Sequence, residues 1–207
     1  KRFEEKKGDI TRAKRALGRM FPKMCTDSPL FRKLFEAQLA LEPSASAYLY
    51  GGTLKAKEGD NKGAIADFDK AAELETNPKK KSDILYKSAT IARKFSKSQA
   101  RSYCNKALQA NPSNGKAYLL IANLYASSAN QCGSTPFEKR SVYWLAADMA
   151  RKAARVDPSL SGRANQAAAS YSAKAPSKTD IFNSGMAGKT VPLKCWIGGS
   201  VKVPNLN

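Results

Sequence analysis

The chain has 207 residues, a formal charge of +19 from 36 Lys and Arg against 17 Asp and Glu, and no histidine. That length can bury one core or carry an array of small repeats with an appendage, and no stretch approaches the ~20 consecutive apolar residues of a membrane-spanning helix. The missing histidine removes the commonest general base and metal ligand; with carboxylates scattered over helical faces as well, a non-enzymatic chain with no catalytic residue, metal or cofactor is expected.

Residues 1–24, with a net charge of +6, predict a basic helix whose apolar positions Ile10, Ala13, Leu17, Met20 and Met24 follow a spacing of three and four. It reads either as a cap on the helices that follow or as a segment docking on a partner or a membrane surface. The chain begins at Lys1 rather than methionine, and export stays open. Ser28 and Pro29 then suit the N-cap and first position of a second helix, with Phe31, Leu34, Phe35, Gln38 and Leu41 on one face.

From Pro43 onward the chain is rhythmic. Glu42-Pro43, Asn77-Pro78, Asn111-Pro112 and Asp157-Pro158 are separated by 35, 34 and 46 residues. Inside these intervals recur small residues in register: Gly52, Ala64 and Ala71; Ser88, Ala100 and Ala107; Ala122, Ala146 and Ala153. Small side chains at such places let two antiparallel helices approach closely while larger neighbours interdigitate around them. The first hairpin is expected over Ala45 to Pro78, turning at Gly59-Asp60. The second runs from Lys81 to Pro112 with Ser98 capping its second helix, and each closing proline is expected to stop a helix. The third begins near Gly115 and holds the inserted loop Ser127 to Pro136. Thr135-Pro136-Phe137-Glu138 then supplies a capping box for a long helix reaching about Val156, whose Phe137, Tyr143 and Trp144 are expected to cover the C-terminal segment. The period and the small-residue triplets resemble the tetratricopeptide repeat, which implies an all-α solenoid of about three helical hairpins plus capping helices.

A further helix is expected over about Gly162 to Ala175, ending at Pro176. Beyond it Thr190 to Ile197 and Ser200 to Val203 read as two strands of a hairpin, joined by a two-residue turn at Gly198-Gly199 and docked through Leu193 and Trp196. The organisation expected is capping helices over 1–44, the repeat solenoid over 45–175 and an extension over 176–207. Of the four cysteines, Cys104 falls where a thiol packs as a small hydrophobe. Cys132, in the inserted loop, and Cys195, beside Trp196, stand where a disulfide would fasten the extension to the solenoid in an oxidising compartment.

Tyr125 to Gly133, Phe137 to Asp148, Pro176-Ser-Lys178-Thr-Asp180-Ile-Phe182 and Cys195-Trp196-Ile197-Gly198 are together similar to tetratricopeptide proteins of the Bacteroidota that end in a Trp-Ile strand. That resemblance implies an interaction protein of the periplasm or cell envelope. In tetratricopeptide arrays the first helix of each pair lines the concave face. Here this places Leu49, Leu85 and Leu119 in a stripe flanked by Thr53, Lys57, Arg93, Lys116 and Asn123, suited to a segment with acidic flanks or filled by the chain's own termini. The leading reading is a scaffold for a protein partner, acidic in part, within a multi-protein envelope assembly. The alternative is a basic cytoplasmic factor that binds nucleic acid or ribosomes through its ends, with the repeats as spacer.

Overall fold

A computed structural model describes residues 29–206, together with Thr11, Arg15, Ala16 and Arg19. The positions read above as an N-terminal amphipathic face, Ile10, Ala13, Leu17, Met20 and Met24, all lie outside the described residues, as do Cys25, Ser28 and the side chains of Phe31 and Gln38. The chain divides into two compact units, one ending at Ile91 and the other beginning at Ala92.

The first unit holds α1 (Pro29–Leu41), α2 (Ala45–Glu58), α3 (Asn61–Leu74) and α4 (Pro78–Ala92). Ser44 caps α2 by accepting from the Ala47 N–H at 3.2 Å, and Asp60 caps α3 by accepting from the Gly63 N–H at 2.8 Å. Gly59, at φ 87°, makes the left-handed turn between α2 and α3 that a side chain would strain. The two helices pack along their lengths because α2 carries Gly51 and Gly52 mid-helix. A Cβ on Gly52 would stand 2.6 Å from the Phe68 ring and 2.9 Å from the Ala64 carbonyl; one on Gly51 would stand 2.7 Å from the Asp67 carboxylate and 3.0 Å from Phe35. Each glycine costs about 1 kcal/mol of helix propensity, offset by the apolar and dispersion contacts of a closer approach. Leu34 and Phe35 of α1 close this core against Ala47, with Ala16, Leu39 and Leu54 packed around them.

The second unit holds α5 (Lys97–Ala110), α6 (Gly115–Ala126), a 3-10 turn at Ala129–Gln131, α7 (Pro136–Val156), a second 3-10 turn at Pro158–Leu160, α8 (Ser161–Lys174), α9 (Lys178–Ser184), β1 (Thr190–Pro192) and β2 (Ser200–Lys202). At 21 residues α7 is the longest helix among those described, and α6, α8 and both strands pack on it. The two strands pair antiparallel, Val191 opposite Val201. Ala64, Ala71, Ser88, Ala100, Ala107, Ala122, Ala146 and Ala153 are all fully buried.

Several sequence expectations need correction. The second hairpin starts at Pro78, not Lys81: Asn77 accepts from the Lys80 N–H at 3.1 Å and Pro78 takes the first helical position. This Asn-Pro therefore opens a helix, while α3 has already ended at Leu74. Pro158 likewise opens a turn, with Asp157 accepting from the Ser159 N–H. Ser96, not Ser98, caps α5, its hydroxyl accepting from the Gln99 N–H at 3.3 Å. The two-residue Gly198-Gly199 hairpin turn is not made. The ladder ends with the Leu193 N–H donating to the Gly199 carbonyl at 2.9 Å, and the segment between them, Cys195-Trp196-Ile197 included, is a loop rather than a strand. Both glycines still take positive φ, 67° and 71°, where the loop re-enters β2. Residues 178–184, read from sequence only as part of an extension, form α9 behind a Ser177–Asp180 capping box.

Ser88 sits completely buried with its hydroxyl unpartnered among the described residues, so this position selects for size rather than hydrogen bonding. Ser88→Ala should therefore leave stability unchanged or raise it by about 1 kcal/mol. Gly52→Leu should cost about 3 kcal/mol through overpacking against Phe68. Urea unfolding of both variants checks this, and a harmless Gly52→Leu would refute close packing between α2 and α3.

Candidate functional site

The eight residues expected to line a partner groove fall in both units, and each unit is described separately. In the first, Leu49, Thr53 and Lys57 lie four apart on α2, hence along one face. Leu49 and Thr53 are half-buried and Lys57 is exposed. The Thr53 hydroxyl donates to the Leu49 carbonyl of its own helix at 2.8 Å, leaving the row without a free donor at that point. Leu85 is only 7% exposed on α4 and belongs with Ile84 to the core rather than to a lining surface. In the second unit Arg93 stands in the turn after α4, off the helix on which sequence placed it. Lys116, Leu119 and Asn123 share one face of α6. Leu119 is half-buried against the Ala122, Ala150 and Ala168 cluster, while Lys116 and Asn123 are exposed beside it.

The most elaborate polar geometry lies at the inserted loop. Cys132 and Cys195 are joined by a disulfide across 63 residues, their Cα atoms 4.8 Å apart. Next to it the Trp196 indole N–H donates to the Ser128 hydroxyl at 3.0 Å. That hydroxyl donates to the Leu124 carbonyl at 2.8 Å and accepts from the Lys97 ammonium at 3.0 Å. Arg101 donates to the Ile197 carbonyl at 2.7 Å, and its guanidinium lies 5.1 Å from the centre of the Trp196 ring. Tyr125 tilts against the same ring, centroids 6.0 Å apart. One indole thus has a cation near its ring, an aromatic neighbour and a satisfied N–H, the arrangement that lets tryptophan pack deeply. Beneath it Leu193, Ile197 and Val201 pack with Ala129, Cys132 and Val142. Trp144 also joins the neighbouring cluster of Ile181, Val191 and Val203.

Arg140 ties the remaining end of the segment down. It donates to the Lys174 and Ala175 carbonyls at 3.0 and 2.8 Å and pairs with the Asp180 carboxylate at 3.1 Å. The Ser177 backbone N–H, then its hydroxyl, then Arg140 hold the Asp180 carboxyl below the usual carboxylate range. The backbone N–H groups of Ser134 and Thr135 do the same for Glu138. Burial pushes the Cys104 thiol up to about 12, so it packs as a neutral group. Arg101, Ser128 and Arg140 were not singled out from sequence. Their partners lie tens of residues away, and no local spacing announces such contacts.

No family model and no curated protein matches the sequence. Among solved structures the chain is similar to MamA, with a TM-score of 0.55 at 17% identity over 74% of this chain and 81% of that one. It is also similar to a MamA fragment from Desulfovibrio magneticus RS-1, with a TM-score of 0.52 at 18% identity over 81% and 93%. YrrB, described as a TPR protein with an unusual peptide-binding site, aligns at a TM-score of 0.48 and 19% identity over 87% and 89%. At such identities the likeness to MamA is one of fold, and the chain has an all-α tetratricopeptide fold with a small two-stranded sheet.

Ser128→Ala removes the acceptor of two donors and should destabilise the protein by about 1–3 kcal/mol. Ser127→Ala should cost far less, because that hydroxyl donates only to the Leu124 carbonyl at 3.1 Å. Equal urea midpoints for the two variants would show that Trp196 is not held through Ser128.

Proposed function

We propose that the chain is a non-enzymatic tetratricopeptide scaffold that holds a protein partner, acidic in part, as a subunit of a bacterial cell-envelope assembly. The observation that carries this reading is the α6 face: a cation, a half-buried leucine and an exposed amide at Lys116, Leu119 and Asn123, on a helix packed against α7. An apolar contact flanked by polar and cationic groups suits a helical or extended segment with acidic flanks. The Leu49, Thr53 and Lys57 row of α2 offers the same chemistry. We read residues 45–175 as the repeat-bearing part and 176–207 as an extension fastened to α7.

The envelope assignment draws on the Cys132–Cys195 disulfide, since such bonds persist in oxidising compartments and are rare where thiols are kept reduced. Among the described residues no helix is long and apolar enough to cross a membrane, and the basic N-terminal residues suit peripheral contact with an anionic membrane surface. The many cations also suit nucleic acid, but polynucleotide binding would then dominate and fall steeply and linearly on logarithmic axes with salt.

A photo-crosslinking residue at Leu119 should trap a discrete protein in cells, and Lys116→Glu should weaken that product severalfold. Recovery of nucleic acid instead, or of no product at Leu119 and Leu49 alike, would overturn the reading. Acid quenching followed by alkylation should find Cys132 and Cys195 protected until reductant is added; free thiols at both positions in cells would remove the envelope assignment.

A further inference from the structure

An open cleft of about 730 Å³ lies on the α7–α8 pair; none of the groove residues named above lines it, although Met149 packs on the same alanine cluster as Leu119. Leu145 and Met149 line its apolar part, and Lys152 and Arg155 its cationic part. These four follow one another on α7 at intervals of four, three and three, and therefore lie along one helical face. Asp148 and Arg151, also in the lining, neutralise each other at 2.7 Å, and Arg151 donates further to the Ser172 hydroxyl at 3.3 Å. Lys152 and Arg155 have no such partner among the described residues.

Within this unit no carboxylate pairs with them. Residues 92–207 contain four carboxylates, Glu138, Asp148, Asp157 and Asp180. Glu138 is engaged by the Ser134 and Thr135 N–H groups, Asp148 by Arg151, Asp157 by the Ser159 N–H and Asp180 by Ser177 and Arg140. Within this unit the cations of the cleft are thus left without a salt-bridge partner among the described residues. Resting on the scaffold reading, we infer that the cleft is a second docking surface and that its occupant is an acidic amphipathic helix of a partner protein. That helix sets apolar side chains against Leu145 and Met149, and Asp or Glu against Lys152 and Arg155. A polynucleotide fits less well: no aromatic ring lines the cleft to stack a base, and an apolar surface beside the cations gives a phosphate backbone nothing.

The experiment titrates the full chain with a fluorescent helix-forming peptide carrying leucine and glutamate along one face, at low and physiological salt. Three controls are run: the same peptide with glutamine for glutamate, a single-stranded oligonucleotide as competitor, and the Lys116→Glu variant. Lys152→Glu combined with Arg155→Glu should weaken peptide binding about tenfold or more, with an unchanged melting temperature because both side chains are exposed. The glutamine peptide should bind as weakly to wild type as the acidic peptide does to the double variant. Peptide affinity untouched by the double variant would overturn the inference, as would loss only with Lys116→Glu, or tighter binding of the oligonucleotide at the same two residues. Crosslinking at Leu119 reports separately: product there with no effect of the double variant leaves the scaffold intact and removes this cleft, whereas the reverse removes the α6 groove alone.

Discussion

The architecture depends on how closely two helical backbones can approach. At Gly52 against Ala64 and Phe68 the separation leaves no room for a single extra carbon, and equivalent positions elsewhere are filled by alanine or serine buried to zero exposure. Close approach is what lets helices this short bury enough surface to be stable, since isolated helices of 12–15 residues are marginal in water. The cost is borne locally, as two consecutive glycines in the middle of α2 and an unpartnered serine hydroxyl in α4. Both are tolerable only because the packing they permit is worth more.

A second dependence follows from the length of α7. A helix that outruns its neighbours exposes an apolar face beyond the hairpin, and here Val142 and Trp144 are covered by a C-terminal segment with little regular structure of its own. Two three-residue strands cannot hold together in water unaided. Their fixation comes from three different kinds of bond at three places: the covalent link from Cys132 to Cys195, the Ser128 and Arg101 hydrogen bonds around Trp196, and the Arg140 bridge to the start of α9. By the chain-entropy account, closing a loop of this size is worth about 4 kcal/mol.

What was legible in the sequence had a local cause. The triplets, the Thr135–Glu138 box and the Gly59-Asp60 turn each express a short-range rule, and each is found where it was read. The prolines show how a correct marker can carry the wrong meaning: Asn77-Pro78 was read as the stop of one helix, yet its missing N–H and fixed φ serve the first turn of the next. The Ser177–Asp180 box has the same grammar as Thr135–Glu138, yet the sequence reading leaves it inside the C-terminal extension with no helix assigned. The hairpin turn failed for a reason outside its own sequence. Two glycines permit a tight turn, but Cys195 is held at Cys132 and Trp196 at Ser128, which opens the connection into a loop. Among the groove residues, Leu85 shows the limit of register alone, because repeat position cannot say whether a leucine is core or surface.

The charge distribution connects fold to function more directly than any single residue. In the second unit every carboxylate has been spent on local structure, at helix starts and in pairs with arginine, where a negative group near backbone N–H donors is most stabilising. The arginines that fix the C-terminal segment, Arg101 and Arg140, point inward at carbonyl oxygens. The Lys and Arg of this unit far outnumber its four carboxylates, so its field is positive. A surface of that kind repels its own copies and attracts acidic macromolecules over a Debye length. Specificity must then come from where cations adjoin half-buried apolar side chains, and on α6 and α7 they do.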